Sequence, residues 1–169
     1  IHLDLGHVAV FRELAKAANL SADLEARLFD IYQRKSIPEL NVLLPQLPHN
    51  QWFAALGQLS GETSVLAQAT SLLVDAPASV HHALNDLQQV TQALQDSHPQ
   101  VTISVDLSEL RGYHYHTGLV FAAYTPQSAS ELAKGGRYDH IGEAFGRARP
   151  ATGFSADLKS LVTLDRKSV

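Results

Sequence analysis

The hydrophobic period of the chain changes once, at Pro99, and that change limits the possible folds more than any other feature. Before it, Val80, Leu84, Leu87, Val90 and Leu94 recur at intervals of three and four behind Pro77, the spacing that lays one stripe of an α-helix on a core. After it, Val101, Ile103, Val105 and Leu107 alternate with Thr102, Ser104, Asp106 and Ser108, as in a strand with one buried face. A chain carrying both periods in long blocks is expected to be α+β.

The helical block is punctuated by Pro and Gly. Ser21 is the expected N-cap of a helix carrying Leu24, Leu28 and Ile31, with Asp23 and Glu25 suited to its positive end. Ser36-Ile37-Pro38-Glu39 fits a capping box, and the helix it opens must stop before Pro45. Trp52, Phe53 and Leu56 form the apolar face of a short helix between Pro48 and Gly57, and a further helix is expected after Gly61. Ile1 to Leu5 reads as a strand, followed by Gly6 and a helix bearing Val8, Phe11, Ala15 and Ala18. Leu119 to Tyr124 is nearly continuous in apolar residues, which predicts a central strand covered on both sides. Strands are also expected from Glu131 to Tyr138 and from Ala151 to Ala156, with a helix starting near Asp157.

Composition excludes several classes of protein. With 45% hydrophobic and 18% charged residues, the 169-residue chain is neither disordered nor collagenous. Cys 0 removes disulfides, thiolate metal sites and a cysteine nucleophile, and Met 0 means that residue 1 is not an initiator, so a fragment is expected. A net charge of −4 gives no electrostatic reason to expect a nucleic-acid backbone as partner. No apolar run approaches the roughly 20 residues needed to span a bilayer, and a cytoplasmic location is expected.

Two polar clusters stand among the strands. The first, Arg111-Gly112-Tyr113-His114-Tyr115-His116-Thr117-Gly118, would place Tyr113, Tyr115 and Thr117 on one face if extended, with His114 and His116 on the other. His114-x-His116 admits a metal reading, though no third ligand stands at an informative spacing. The second is Lys134-Gly135-Gly136-Arg137-Tyr138-Asp139. Its glycines fit either a hairpin turn or a close approach of backbone to ligand, and Arg137, Tyr138 and Asp139 supply a cation, a hydroxyl and an acceptor. Taken by themselves, these clusters support a pocket for a small polar ligand, with a carboxylate for an arginine to pair with bidentately. His81-His82 read as solvated or partner-facing groups, Arg147 and Arg149 as a solvated face that could also bind an anion, and Trp52-Phe53 as core anchors.

In this order the two clusters resemble the histidine-binding motifs of the histidyl-tRNA synthetase family. The first is similar to the family's Arg-Gly-x-x-Tyr-Tyr-x-Gly element and the second to its Gly-Gly-Arg-Tyr-Asp element, while Gly153-Phe154-Ser155-Ala156-Asp157-Leu158-Lys159-Ser160 resembles class II motif 3. The resemblance implies a class II aminoacyl-tRNA synthetase-like, mostly antiparallel sheet. Residues 1–20 and 99–169 would form part of the synthetase-like α+β domain, and residues 21–98 a helical insertion subdomain. It also implies a histidine site made by Arg111, Tyr115, His116, Gly135, Gly136 and Tyr138, with no catalytic residue, metal or cofactor.

Two departures from the synthetase pattern select a branch of the family. The motif 3 arginine, which in synthetases stacks on ATP, is matched here by Ser160, which cannot supply a planar cation. His116 replaces the second aromatic of the tyrosine pair. Together with Leu3-Asp4-Leu5-Gly6-His7-Val8 and the run from Asp106 to Tyr124, these residues resemble the branch without aminoacylation activity. Its members are regulatory subunits that partner the short-form ATP phosphoribosyltransferase catalytic subunit as a hetero-oligomer. That resemblance implies a non-catalytic protein of histidine biosynthesis with histidine as ligand, self-association through the synthetase-like domain, and no nucleic-acid or membrane partner. The alternatives are a divergent synthetase fragment, and a partner-binding relative with a vestigial pocket.

Overall fold

A computed structural model of the chain describes residues 1–128, 130–143 and 146–166; the remaining positions of the 99–169 range lie outside the described residues. The elements, in order, are β1 (His2–His7), α1 (Val8–Ala17), α2 (Ala22–Gln33), α3 (Ile37–Leu43), α4 (Asn50–Leu56), β2 (Ser60–Glu62), α5 (Val65–Leu72), α6 (Ala78–Ser97), β3 (Thr102–Asp106), β4 (Leu119–Tyr124), β5 (Ala133–Ile141), β6 (Arg149–Ala156) and α7 (Leu158–Arg166). The strands form one sheet in the order β2-β3-β1-β4-β5-β6. Only β1 and β3 run parallel, with Leu3 opposite Ile103 and Leu5 opposite Val105; every other pair is antiparallel. The α+β class and the mostly antiparallel sheet read from the sequence are therefore correct.

The core follows from the two periods. Leu5, Val105 and Leu107 point from one sheet face into a cluster with Phe11 and Leu14 of α1, Leu28 of α2, Phe53 of α4 and Leu87 of α6. The Pro77 helix departs from its predicted stripe at one turn: Val90 is 38% exposed and Thr91, at 3%, is buried in its place. β2 is a strand inside the block that reads as helical, and its exposed Ser60-Gly61-Glu62 has no apolar alternation to announce it.

Local signals fare unevenly. Ser21 caps α2 as expected, its hydroxyl accepting from Leu24 N at 3.3 Å. The capping box at Ser36 does not form: the Ser36 hydroxyl donates to Glu39 Oε1 at 2.9 Å and reaches no backbone amide. Arg34 explains this, because it holds both Glu39 oxygens, at 2.6 and 2.7 Å, and so takes the carboxylate from the helix end. β4 is central as predicted, but only Val120 and Ala122 are buried, while Leu119 and Phe121 are half-buried on the other face.

Candidate functional site

The segment between β3 and β4 is turned, not extended. Leu110 is buried at its start, and its end is tied to β5 where Thr117 N donates to Arg137 O at 2.9 Å and Asp139 N donates to Thr117 Oγ1 at 3.1 Å. Between these anchors Gly112 adopts φ +64°, and its carbonyl accepts from both Tyr115 N, at 2.8 Å, and His116 N, at 2.7 Å. Only glycine takes that backbone without strain, and a Cβ there would lie 2.3 Å from His116 Nδ1. The turn cancels the face assignment expected for an extended strand: Tyr113 is 6% exposed and Tyr115 is 60% exposed. Tyr113 belongs to the core.

Arg111, Gly112, Tyr115 and His116 of this turn face Val120 of β4, Lys134, Gly135 and Tyr138 of β5, and Gly153, Phe154 and Ser155 of β6 across a cavity of about 370 Å³. The sequence-named Arg111, Tyr115, His116, Gly135 and Tyr138 thus meet around one space. The rings of Tyr115 and Tyr138 lie 4.9 Å apart, and His116 sits edge-on to Tyr115 at 5.4 Å. Gly136 lies beside the His116 ring and lines a second cavity instead; a Cβ on it would lie 2.8 Å from His116 Cδ2 and 2.5 Å from Leu119 O. Gly135 and Gly136 are in mid-strand, paired with Phe121 and Val120, so the hairpin-turn reading of the two glycines is set aside. A Cβ on Gly135 would lie 2.2 Å from Gly153 O, which means that β5 and β6 come together too closely there for any side chain.

The polar groups of the cavity are held and partly unspent. Arg111 Nη2 donates to the Tyr124 hydroxyl at 3.1 Å and lies 3.6 Å from Glu109 Oε2, while the Glu109 carboxylate also accepts from Arg111 N at 2.7 Å. Burial works against the Arg111 charge, but Tyr124 and Glu109 outweigh it and raise its pKa, so this cation is permanent. Arg111 Nη1 and His116 Nδ1 are buried without a partner among the described residues. A buried unmet donor carries a desolvation penalty, which a ligand acceptor reaching Arg111 would relieve. No group of three or more His, Asp or Glu suited to a metal occurs among the described residues.

A second cavity, of about 670 Å³, opens on the opposite face of the sheet between α6 and β4–β6, lined among others by His7, Asp86, Val90, Phe121 and Arg137. Arg137 turns to that side, where its Nε donates to Asp139 Oδ1 at 2.9 Å. Gly153 and Phe154 border both cavities. Sequence reasoning did not single out Val120, Lys134 or Ser155 as lining residues. Their alternation along paired strands could have found them once the sheet order was known.

Ser160 stays with its own helix. Asp157 caps α7, its Oδ1 accepting from Lys159 N at 3.0 Å and its Oδ2 from the Ser160 hydroxyl at 2.7 Å, and these bonds lower the Asp157 pKa. Ser160, which the sequence resemblance matches to the motif 3 arginine, is thus engaged at the α7 N-terminus.

The mostly antiparallel six-stranded sheet is that of a class II synthetase-like protein, and the cavity of about 370 Å³ opens on it. The chain matches the histidyl-tRNA synthetase family over residues 1–161, and it belongs to that family. It is 54% identical over 166 residues to the ATP phosphoribosyltransferase regulatory subunit of Azotobacter vinelandii, covering 97% of this chain and 42% of that protein. To the protein of the same name from Thioalkalivibrio sulfidiphilus it is 55% identical over 168 residues, with the same coverage of 97% and 42%. The chain therefore spans about two fifths of the length of the curated relatives it matches.

Solved structures share the fold. An ATP phosphoribosyltransferase regulatory subunit/histidyl-tRNA synthetase from Bacillus halodurans superposes with a TM-score of 0.82 at 23% identity, over 96% of this chain and 43% of that one. The ATP phosphoribosyl transferase (HisG:HisZ) complex from Thermotoga maritima gives 0.67 at 20% identity, over 91% and 52%. Histidyl-tRNA synthetase from Nostoc gives 0.75 at 19% identity, over 98% and 42%.

Proposed function

We propose that this chain is part of a regulatory, non-catalytic subunit of ATP phosphoribosyltransferase. In this reading the whole protein activates the short catalytic subunit and takes part in feedback inhibition by histidine at the first step of histidine biosynthesis. The observation that carries it is an identity of 50–55% to proteins named as that subunit, across nearly all of this chain. The engagement of Ser160 with Asp157 supports a protein that does not adenylate, because no arginine is offered at that position.

Histidine is the ligand of the smaller cavity in this reading. Arg111 pairs with its carboxylate, Tyr115 and Tyr138 shape the region for its imidazole, Gly135 brings bare backbone to the cavity wall and Gly136 lets β5 pass close beside His116, which takes the place of a tyrosine. Residues 21–98 act as an insertion subdomain on the synthetase-like domain of 1–20 and 99–169, and that domain also carries self-association. Histidine regulates by binding one assembly better than another, a coupling of typically about 1–3 kcal/mol.

The full-length protein mixed with the short catalytic subunit tests this reading. Co-purification, activation, and inhibition by histidine that weakens at least about tenfold in Arg111→Ala are expected, since that variant removes a charge-assisted pair. Histidine-dependent ATP–pyrophosphate exchange by the protein alone would overturn it in favour of a synthetase.

A further inference from the structure

Residues 111–116 serve two surfaces at once. Arg111, Tyr115 and His116 face the smaller cavity, while Tyr113 and His114 pack on the helices. The Tyr113 ring lies 5.5 Å from both Phe11 of α1 and Phe29 of α2, His114 lies 5.5 Å from Phe29, and the Tyr113 hydroxyl donates to Glu25 of α2 at 2.7 Å.

Arg12 of α1 joins the two surfaces. Its Nη2 donates to Tyr113 O at 2.7 Å and to His116 O at 3.0 Å, and its Cζ lies 4.8 Å from the centre of the Tyr113 ring. Among the described residues no backbone amide reaches either carbonyl, so the guanidinium is what satisfies them. Two carbonyls three residues apart, held by one nitrogen, fix the curvature of the turn whose far side presents Tyr115 and His116. A guanidinium that lies over an aromatic ring while donating to two carbonyls is itself held in place, so it acts as a template for the loop.

We propose that Arg12, which does not line the cavity, is a positioning residue for it, setting the turn that places Tyr115 and His116 against the ligand. The proposal rests on reading that cavity as a histidine site. It differs from a general stabilising role, which would lower stability throughout without singling out the turn.

The test uses the full-length protein, with histidine titrated by calorimetry and backbone amide exchange followed residue by residue. Arg12→Ala is expected to bind histidine about tenfold or more weakly, as befits the loss of charge-assisted bonds. It should also speed exchange at the Tyr115 and His116 amides while leaving those of β1 and β3 unchanged. Arg12→Lys keeps a cation near Tyr113 without the planar fork, and should show a smaller loss of the same kind. If the wild type binds histidine and Arg12→Ala binds it equally, with unchanged exchange in the turn, the proposal is overturned and the histidine pocket stands. Should Arg12→Ala not fold, the same comparison with Arg12→Lys decides. A wild type that binds no histidine removes the pocket reading, and this proposal with it.

Discussion

His7, at the end of β1, is 6% exposed, its Nδ1 has no partner among the described residues, and its Nε2 lies 3.9 Å from Asp86 Oδ2. Burial pulls its pKa down from 6.5 to about 4; Asp86 opposes this, and the charges of Arg12 and Arg137 reinforce it. Between these two values the unfolded chain binds the proton and the folded one does not. The contribution of His7 to stability is therefore complete above about pH 6.5 and disappears as the pH falls towards 4. At about 1.4 kcal/mol per pH unit, the difference between neutral solution and pH 4.5 is on the order of 2–3 kcal/mol. The unfolding free energy of the full-length protein from urea denaturation should fall more on acidification than that of His7→Gln by that amount, and equal falls would exclude His7 as the source. None of this was legible in the sequence. A histidine beside a glycine gives no sign of burial, whereas Arg111 and Tyr138 could be named because the clusters that hold them resemble family motifs.

Among the elements, helices were the easiest to read and their ends the hardest. Leu84 and Leu87 point inward because their spacing leaves no other face for them, yet one turn later Val90 and Thr91, about 100° apart on the helix, flank the direction of Leu87 on either side, and tertiary packing buries Thr91. The box at Ser36-Glu39 failed for a similar reason, since local pattern cannot foresee that Arg34 claims the same carboxylate. Contacts between elements carry the rest. Buried Tyr32 of α2 donates its hydroxyl to Phe53 O of α4 at 2.7 Å, and burial together with that bond keeps the phenol protonated, its pKa raised by desolvation. Tyr32→Phe removes this tie but leaves Phe53 O with the Gly57 amide, at 3.3 Å. A loss of about 1 kcal/mol is expected in urea denaturation. No loss would mean that α2 and α4 are held by apolar packing alone.

Over the whole molecule, the accessible surface of 9796 Å² exceeds the roughly 8,000 Å² typical of a compact monomer of this mass. Apolar exposure is marked at one end of the sheet, where Phe154 and Leu158 are each 73% exposed and Val162 is 52% exposed, beside the open edge of β6. The 169-residue chain by itself should therefore self-associate, and Leu158→Lys combined with Val162→Lys should return it towards monomer in sedimentation velocity. An unchanged distribution would place the association elsewhere. No helix among the described residues is long and apolar enough to cross a membrane. The turn at 111–116 ties sheet, helices and cavity together by dealing its side chains out in a fixed order: one to the cavity, two to the helices, two to the cavity again. An inserted or deleted residue would rotate every later assignment, sending Tyr115 into the helices or Tyr113 into the open. Substitution can tune this segment, but its length is locked.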